Sequence, residues 1–240
     1  MPIAPTHTVL QSGGDVIDRH QHDEHQLIYV SSGVVAIRTE HGAWVASNDR
    51  ALWIPARTWH EHRFYGATNF HTIGFDTEHA WLPTDSPTVI VVDPLLRELL
   101  VALTVDDLPA RQAQHIRVVV ADRLHRAAQR PFMLPAPSDP RLADACRRVE
   151  ADLSIPRSVG WLATQVNTGE RTLSRLFRSE FGMTYPQWRT RTRLFTAIVL
   201  LSQGETVTRT AHATGWATTS AFVDTFTRAL GATPGSYRHR

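Results

Sequence analysis

Lysine is absent from this chain, cysteine occurs once, and no hydrophobic run is long. All 25 basic residues among the 240 are therefore arginine. The single cysteine, Cys146, excludes an intramolecular disulfide and any zinc module built from cysteines. No apolar run reaches the roughly 18 residues that a membrane-spanning helix needs. The N-terminus lacks the basic stretch and apolar core of a secretory signal, so we expect a cytoplasmic protein with no membrane partner.

Charge is divided unevenly along the chain. After residue 138 there are 14 arginines against eight acidic residues, whereas the preceding part has 11 arginines against 15 acidic residues. Eleven of the 13 histidines lie in that preceding part. An arginine-rich C-terminal part suits a polyanion such as nucleic acid, and an acidic, histidine-rich N-terminal part suits a different task. Compositional drift would produce the same bias, so charge alone leaves both explanations open.

The N-terminal part contains several short runs of β-forming residues. These runs lie at 27–30, 34–37, 51–54 and 70–73. Glycine or proline residues separate or flank them as predicted turns: Gly33, Gly42, Pro55 and Gly66. Short strands at such close spacing predict a small sandwich or barrel over residues 1–80.

Helical patterns follow the barrel. Apolar spacing from Pro94 and again over 109–128 predicts two helices within residues 81–130, which either close the barrel or pair two copies of the chain in a homodimer. Four prolines in ten residues predict a linker at 131–138. The remainder, 139–240, has helical spacing throughout. The sequence thus predicts an α+β chain, with an N-terminal β-barrel and helical hairpin followed by an all-α domain.

The all-α domain shows two helix-turn-helix patterns. In the first, a short helix capped by Ser158 is broken at Thr168-Gly169 and followed by a longer helix, Thr172 to Phe181. A second short helix, a break at Gly215-Trp216 and another longer helix follow about 45 residues later, which indicates an internal repeat. Two such units can place their second helices in successive major-groove segments about 34 Å apart. Paired helical hairpins also occur in all-α domains that bind no DNA.

The stretch from Asp139 to Arg238 resembles the DNA-binding domain of the AraC/XylS family. The matching residues of the first half include Leu162-Ala163, Leu173 to Phe177, Phe181-Gly182, Pro186, Trp188, Arg193 and Ala197. Those of the second half include Val207, Ala211, Gly215-Trp216, Phe222, Phe226, Gly231 to Pro234 and Tyr237-Arg238. The resemblance implies a sequence-specific transcriptional regulator, an activator or a repressor, with double-stranded promoter DNA and RNA polymerase as partners.

That resemblance also implies which residues contact DNA. In the first recognition helix they are Arg171, Thr172, Ser174, Arg175 and Arg178. In the second they are Thr219, Ser220, Val223 and Asp224. Because Asp224 stands where the family often has arginine, and a carboxylate is repelled by phosphate, we expect the second unit to bind more weakly.

Histidines in the N-terminal part occur in pairs two residues apart. Because alternate residues of a strand share a face, we expect His20, His22 and Gln26 on one face, with His60 and His62 together on another strand. Converging imidazoles can bind a divalent transition metal. His25 lies on the opposite strand face, and with His62 it is only an additional candidate for the pocket.

This spacing resembles the metal motif of the cupins. The matching residues are Gly14, His20, His22, Gln26 and Gly33, then Pro55 and His60. The resemblance implies Zn or Ni bound by His20, His22, Gln26 and His60. Gln26 stands where cupins usually have glutamate, and Asp49 and Arg57 replace turn glycines, which puts catalytic iron in doubt. The same histidines could instead line a pocket for an organic effector without any metal.

Three hypotheses for the whole protein follow. The leading one is a homodimeric transcriptional regulator that responds to a small molecule or metal in its barrel, and is not an enzyme. The first alternative is a cupin-type metalloenzyme fused to a DNA-binding domain. The second is a DNA-repair methyl acceptor, which needs an activated cysteine nucleophile. Cys146 lies among apolar residues of a helix, so a buried structural cysteine is favoured.

Overall fold

Antiparallel strands and two helices form the N-terminal unit. The computed structural model describes residues 5–79, 81–82, 84–127 and 132–238, and the chain divides into two units, Met1–Phe132 and Met133–Arg240. The strands of the first unit are β1 His7–Gln11, β2 Val16–His20, β3 His25–Thr39, β4 Gly42–Ala46, β5 Arg50–Ile54, β6 His60–Phe75 and β7 Thr88–Val91. Within the described ranges, no helix is both long and apolar enough to cross a bilayer.

The long strands β3 and β6 organise the sheet. They pair with each other over most of their length. Strands β1 and β2 pair with β6, β4 and β5 pair with β3, and β7 pairs with β5, all antiparallel. The interior is filled by fully buried aromatic and aliphatic side chains, among them Tyr29, Trp44, Trp53 and Phe64. The cupin-like barrel predicted from the sequence is confirmed.

Two of the glycines predicted as turns lie inside strands instead. The runs at 27–30 and 34–37 are parts of the single strand β3, and Gly33 between them has a φ of 79°. The register with β6 shifts on both sides of Ser32, which marks a bulge. Gly66 has a φ of 73° within β6. Glycine tolerates these backbone angles, so each strand bends where a turn was predicted.

The sheet continues beyond residue 80, because β7 lies in the range 81–130 that the sequence assigns to helices. The helices are α1 Pro94–Leu103 and α2 Ala110–Arg126. Asp93 caps α1 by accepting the Leu96 N–H at 2.7 Å, with Pro94 at the first helical position. Leucines of α1 and the α2 residues Val120 and Leu124 pack in one apolar core with the barrel.

Helices dominate the second unit. Its elements are the short strand β8 Met133–Pro135, α3 Pro140–Glu150, α4 Val159–Gln165, α5 Glu170–Phe181, α6 Tyr185–Ser202, α7 Val207–Ala213, α8 Thr219–Leu230 and a 3₁₀ turn, Pro234–Tyr237. Asp139 and Ser158 cap α3 and α4, as the sequence predicts. The segment predicted as a linker contains β8, whose Met133 carbonyl accepts a hydrogen bond from Arg191 of α6 at 3.3 Å.

Candidate metal centre and nucleic-acid interface

Three histidines from three different segments converge in the barrel. His20 ends β2, His22 lies in the loop that follows, and His60 begins β6. One ring nitrogen from each lies within 4.8 Å of the others. The distances between ring centres are 5.0 Å for His20–His22, 4.3 Å for His20–His60 and 5.4 Å for His22–His60. The structure thus brings together three of the four predicted metal ligands.

The prediction that these residues converge because they share one strand face is wrong. His20, His22 and Gln26 do not share a strand face, because β2 ends at His20 and β3 begins only at His25. His22 reaches the cluster from the intervening loop, and its carbonyl accepts the Arg57 N–H at 2.7 Å. Arg57 has a φ of 62°. This left-handed angle explains why the cupin motif has glycine at that position.

Gln26, the fourth predicted ligand, forms a hydrogen bond near the end of β6 that is opposite His60. Its Nε2 donates to the Thr72 hydroxyl at 2.7 Å, whereas His60 begins that strand. The Gln26 Oε1 is buried and accepts no hydrogen bond from any described residue. Coordination through Oε1 therefore stays a prediction.

Backbone carbonyls fix the orientation of two imidazoles in the cluster. The Nδ1 of His20 lies 2.6 Å from the Asp18 carbonyl, and that of His60 lies 2.9 Å from the Thr58 carbonyl. Because a carbonyl only accepts, each Nδ1 holds a proton, and in the neutral ring the lone pair is then on Nε2. The His60 Nε2 is buried and has no hydrogen-bond partner in the described part of the chain. Metal-binding histidines are commonly held in this way.

Burial keeps the innermost histidines neutral. It lowers the pKa of His60 to about 4, against the opposing effect of the Thr58 hydrogen bond and together with the nearby His20 and His22. The pKa of His62 is lowered well below its usual value by burial and by the neighbouring imidazoles. A neutral imidazole is the form that binds a metal, so the cluster fits a divalent cation chemically.

The two additional candidate residues differ in position. His62 is 2% exposed and its ring centre lies 5.2 Å from that of His60. His25 instead stacks on Trp53 at 5.1 Å, and its Nδ1 accepts the Ala56 N–H at 3.1 Å. His25 therefore has a structural role at the start of β3, whereas His62 belongs to the histidine cluster.

His71 shows no motif spacing in the sequence, yet it is buried in a polar network. Its Nδ1 lies 2.8 Å from the hydroxyls of Thr8 and Thr104, and its Nε2 lies 2.8 Å from the hydroxyl of Ser31. Thr104 is the residue that ends α1. The network therefore attaches the C-terminal end of α1 to three strands of the barrel.

The first recognition helix, α5, separates an apolar face from an arginine face. Leu173, Phe177 and Phe181 are buried. The predicted contact residues are on the other side: Arg171, Arg175 and Arg178 are exposed, and Thr172 and Ser174 are half-buried. Among the described ion pairs, none involves these three arginines. Their charges are available to an external polyanion.

The second recognition helix, α8, presents a paired charge. Ser220 and Asp224 are exposed, whereas Thr219 and Val223 are half-buried. The Asp224 carboxylate accepts a hydrogen bond from Arg228, one turn further along α8. The sequence interpretation missed Arg228, although a carboxylate and an arginine four residues apart on a helix are a recognisable pair. Asp224 thus neutralises an arginine of its own helix.

Two arginines of α6 contact segments of the two helix-turn-helix units. The Arg193 guanidinium lies 3.7 Å from the centre of the Trp216 ring, and its Nε donates to the Thr214 carbonyl at 2.5 Å. Burial lowers the pKa of Arg193 to about 10. On the same helix, Arg189 donates to the carbonyls of Leu153 and Ile155, in the loop before α4. Helix α6 therefore contacts segments of both units.

Cys146 does not have the environment of a nucleophile. It is 4% exposed on α3, within the core formed by Leu142, Val149 and Phe177. Burial raises the pKa of its thiol. Since the thiolate is the reactive form, this environment opposes the chemistry of a methyl acceptor.

Comparisons with known proteins agree with both halves of this description. Residues 6–73 match the cupin domain family, and residues 162–240 match a helix-turn-helix domain family. The chain is 29% identical over 226 residues to the HTH-type transcriptional regulator NimR of Escherichia coli K12, covering 91% of this chain and 81% of the relative.

Two solved structures are also similar. One is a transcriptional regulator from Chromobacterium violaceum that is described as AraC-type. It is 28% identical, the match covers 41% of this chain and 89% of that chain, and the TM-score is 0.40. The other is Vibrio cholerae ToxT with a bound unsaturated fatty acid. It is 10% identical, the match covers 98% of this chain and 94% of that chain, and the TM-score is 0.42. The two family matches and the relative thus describe a transcriptional regulator with a cupin domain over residues 6–73 and a helix-turn-helix domain over residues 162–240.

Proposed function

We propose that this regulator responds to a divalent transition metal, Zn(II) or Ni(II), bound in its barrel by His20, His22 and His60. The main support is the buried Nε2 of His60, which has no hydrogen-bond partner among the described residues and lies beside two further imidazoles. Nitrogen ligands of this kind suit zinc and nickel. Occupation would tie the end of β2, the loop after it and the start of β6 together.

We propose a sensing role for this site and no catalysis. The relatives named above are transcriptional regulators. The group of close ligand atoms in the described chain is all histidine, with no carboxylate. A cupin-type metalloenzyme would be favoured instead by turnover of an organic substrate after loading with Fe(II).

Calorimetric titration with Zn(II) and Ni(II) tests the metal proposal. We expect stoichiometric binding by the wild-type protein and its loss in the His20→Ala/His22→Ala double variant. His125→Ala is the matched control, because this histidine is exposed on α2. Equal binding by wild type and double variant would exclude the site. Absence of metal binding together with stabilisation by an organic compound would favour an organic effector.

We propose that α5 reads the operator sequence and that α8 mainly positions the domain. The exposed arginines of α5, which form no ion pair with any described residue, support this assignment, since arginine bonded to guanine contributes about 1–3 kcal/mol. Arg175→Ala is expected to remove specific binding in a gel shift at fixed salt. Arg111→Ala, an exposed arginine of α2, is the control. Equal affinity of wild type and Arg175→Ala would contradict the assignment.

We also propose a homodimer formed through α1 and α2. Apolar side chains on these helices are exposed, namely Leu95 at 45%, Val118 at 57% and Val119 at 43%. Such residues indicate an interface when they lie together. Sedimentation at micromolar concentration is expected to give a dimer, and Val118→Glu/Val119→Glu a monomer. A monomeric wild-type protein would contradict this part of the proposal.

A further inference from the structure

His62 is a buried imidazole with no hydrogen-bond partner among the residues that the structure describes. It is 2% exposed, and neither its Nδ1 nor its Nε2 forms a hydrogen bond with any described residue. Aromatic rings flank it, with Phe70 at 5.4 Å and Phe64 at 6.3 Å between ring centres. An imidazole kept in such a place without partners destabilises the fold. A ligand that accepts a nitrogen lone pair would remove this penalty.

The spacing of the rings agrees with a common metal centre. A Zn–N distance of 2.0–2.1 Å places an imidazole centre about 3.2 Å from the ion, so two tetrahedrally arranged rings would lie about 5 Å apart. The centres of His20, His22 and His60 lie 4.3–5.4 Å apart. His62 lies 5.5 Å from His20 and 5.2 Å from His60. Its ring therefore lies at the distance expected of a fourth ligand from two of the three other rings.

We propose that His62 is a fourth protein ligand, in place of the carboxylate that the cupin motif usually provides. This inference rests on the proposed metal function. The His62 nitrogen atoms do not belong to the set of mutually close ligand atoms, so coordination requires rotation of the ring about χ2, a soft torsion in histidine. Gln26, already bonded to Thr72, is then not needed in the ligand set.

Four imidazoles define a particular chemistry. A site with four protein ligands resembles the closed structural zinc sites, whereas catalytic sites keep one position open for water or substrate. Neutral nitrogen ligands favour zinc, nickel and copper over magnesium, calcium and manganese, which prefer oxygen. The ion would keep its double positive charge, offset in part by the carbonyls of Asp18 and Thr58 behind His20 and His60.

Cobalt(II) is a suitable probe, because four-coordinate Co(II) absorbs visible light much more strongly than the six-coordinate ion. We expect intense absorption from Co(II)-loaded wild-type protein. In His62→Phe water can take the fourth position, so we expect an altered Co(II) spectrum and a Zn(II) affinity lowered at least about 10-fold. Phenylalanine suits the space beside Phe64 and Phe70. His25→Phe is the matched control, because His25 stacks on Trp53 outside the cluster.

The outcomes separate this inference from the proposed function. A wild-type protein that binds neither Co(II) nor Zn(II) overturns both. Metal binding by the wild type with an unchanged spectrum and affinity in His62→Phe overturns only the role of His62. Should His62→Phe fail to fold, X-ray absorption of the zinc-loaded wild type decides: four imidazole ligands support the inference, and three imidazoles with an oxygen ligand contradict it.

Discussion

Asp224 and Arg228 form an ion pair on the exposed surface of α8. Surface pairs of this kind contribute little to stability, about 0.3–0.5 kcal/mol for i,i+4 pairs on a helix. If α8 contacts DNA, we expect a larger effect on binding, because the carboxylate both repels phosphate and holds the arginine away from it. We therefore expect this pair to affect DNA affinity more than stability.

We predict that Asp224→Asn strengthens DNA binding by releasing Arg228. One additional phosphate contact would steepen the dependence of log K on log salt concentration by about 0.9. Fluorescence anisotropy over a series of salt concentrations measures this slope. Addition of Arg228→Ala to Asp224→Asn should restore the wild-type slope. An unchanged slope in Asp224→Asn would show that Arg228 does not reach the DNA.

Cys146 offers a simple test of the α3 core. Because burial raises the pKa of its thiol, we predict no reaction with a disulfide reagent such as DTNB in the native protein at pH 8. One equivalent should react after denaturation. Stoichiometric labelling of the folded protein would instead indicate an accessible thiolate and revive the methyl-acceptor hypothesis.

At the scale of elements, Gly215 is the position where the turn of the second helix-turn-helix unit meets the first unit. Its φ is 77°, and a Cβ at this position would lie 2.3 Å from the Leu153 carbonyl oxygen. The positive φ disfavours any residue with a Cβ. The clash cannot be relieved by moving a flexible side chain, because the Leu153 oxygen belongs to the backbone.

We predict that Gly215→Ala destabilises the DNA-binding domain more than Gly204→Ala does. Gly204 also has a positive φ, of 89°, but nothing lies within 4 Å of its added Cβ. The control thus contains only the backbone penalty, about 1–2 kcal/mol, whereas Gly215→Ala adds a steric clash. Urea denaturation of the full chain, monitored by the circular-dichroism signal of its helices, measures the unfolding midpoint of each variant. Equal midpoints for the two variants would contradict the close approach.

Helices were more predictable than strands in this chain. The caps Asp139 and Ser158 and the apolar face of α5 follow from local spacing, which α-helices largely obey. The continuity of β3 through Gly33 depends on its pairing with β6, a contact between residues far apart in sequence. The position of His22 depends on the loop held by Arg57. Such non-local contacts leave no periodicity in the sequence.

The whole molecule combines a candidate sensor site with a DNA-binding domain on one chain. If the metal is the effector, its binding must alter the affinity for DNA, and DNA must alter the affinity for the metal by the same factor. We predict a change of about 5- to 150-fold, the typical range of such coupling, which corresponds to about 1–3 kcal/mol.

Anisotropy with operator DNA, in zinc or in chelator, measures one side of this linkage. Zinc titration with and without DNA measures the other. The His20→Ala/His22→Ala variant should show DNA affinity independent of zinc. Identical DNA affinity of zinc-loaded and metal-free wild type would mean that the metal stabilises the barrel without signalling.

The contacts of Arg193 and Arg189 have a consequence for the binding site on DNA. Because α6 holds the Thr214 turn and the loop at Leu153, the spacing between the two recognition helices is fixed by the protein. An operator with one extra base pair between its two contacted segments would rotate them by about 35° relative to each other. Neither helix could follow, so such insertions should abolish recognition even when every contacted base is retained.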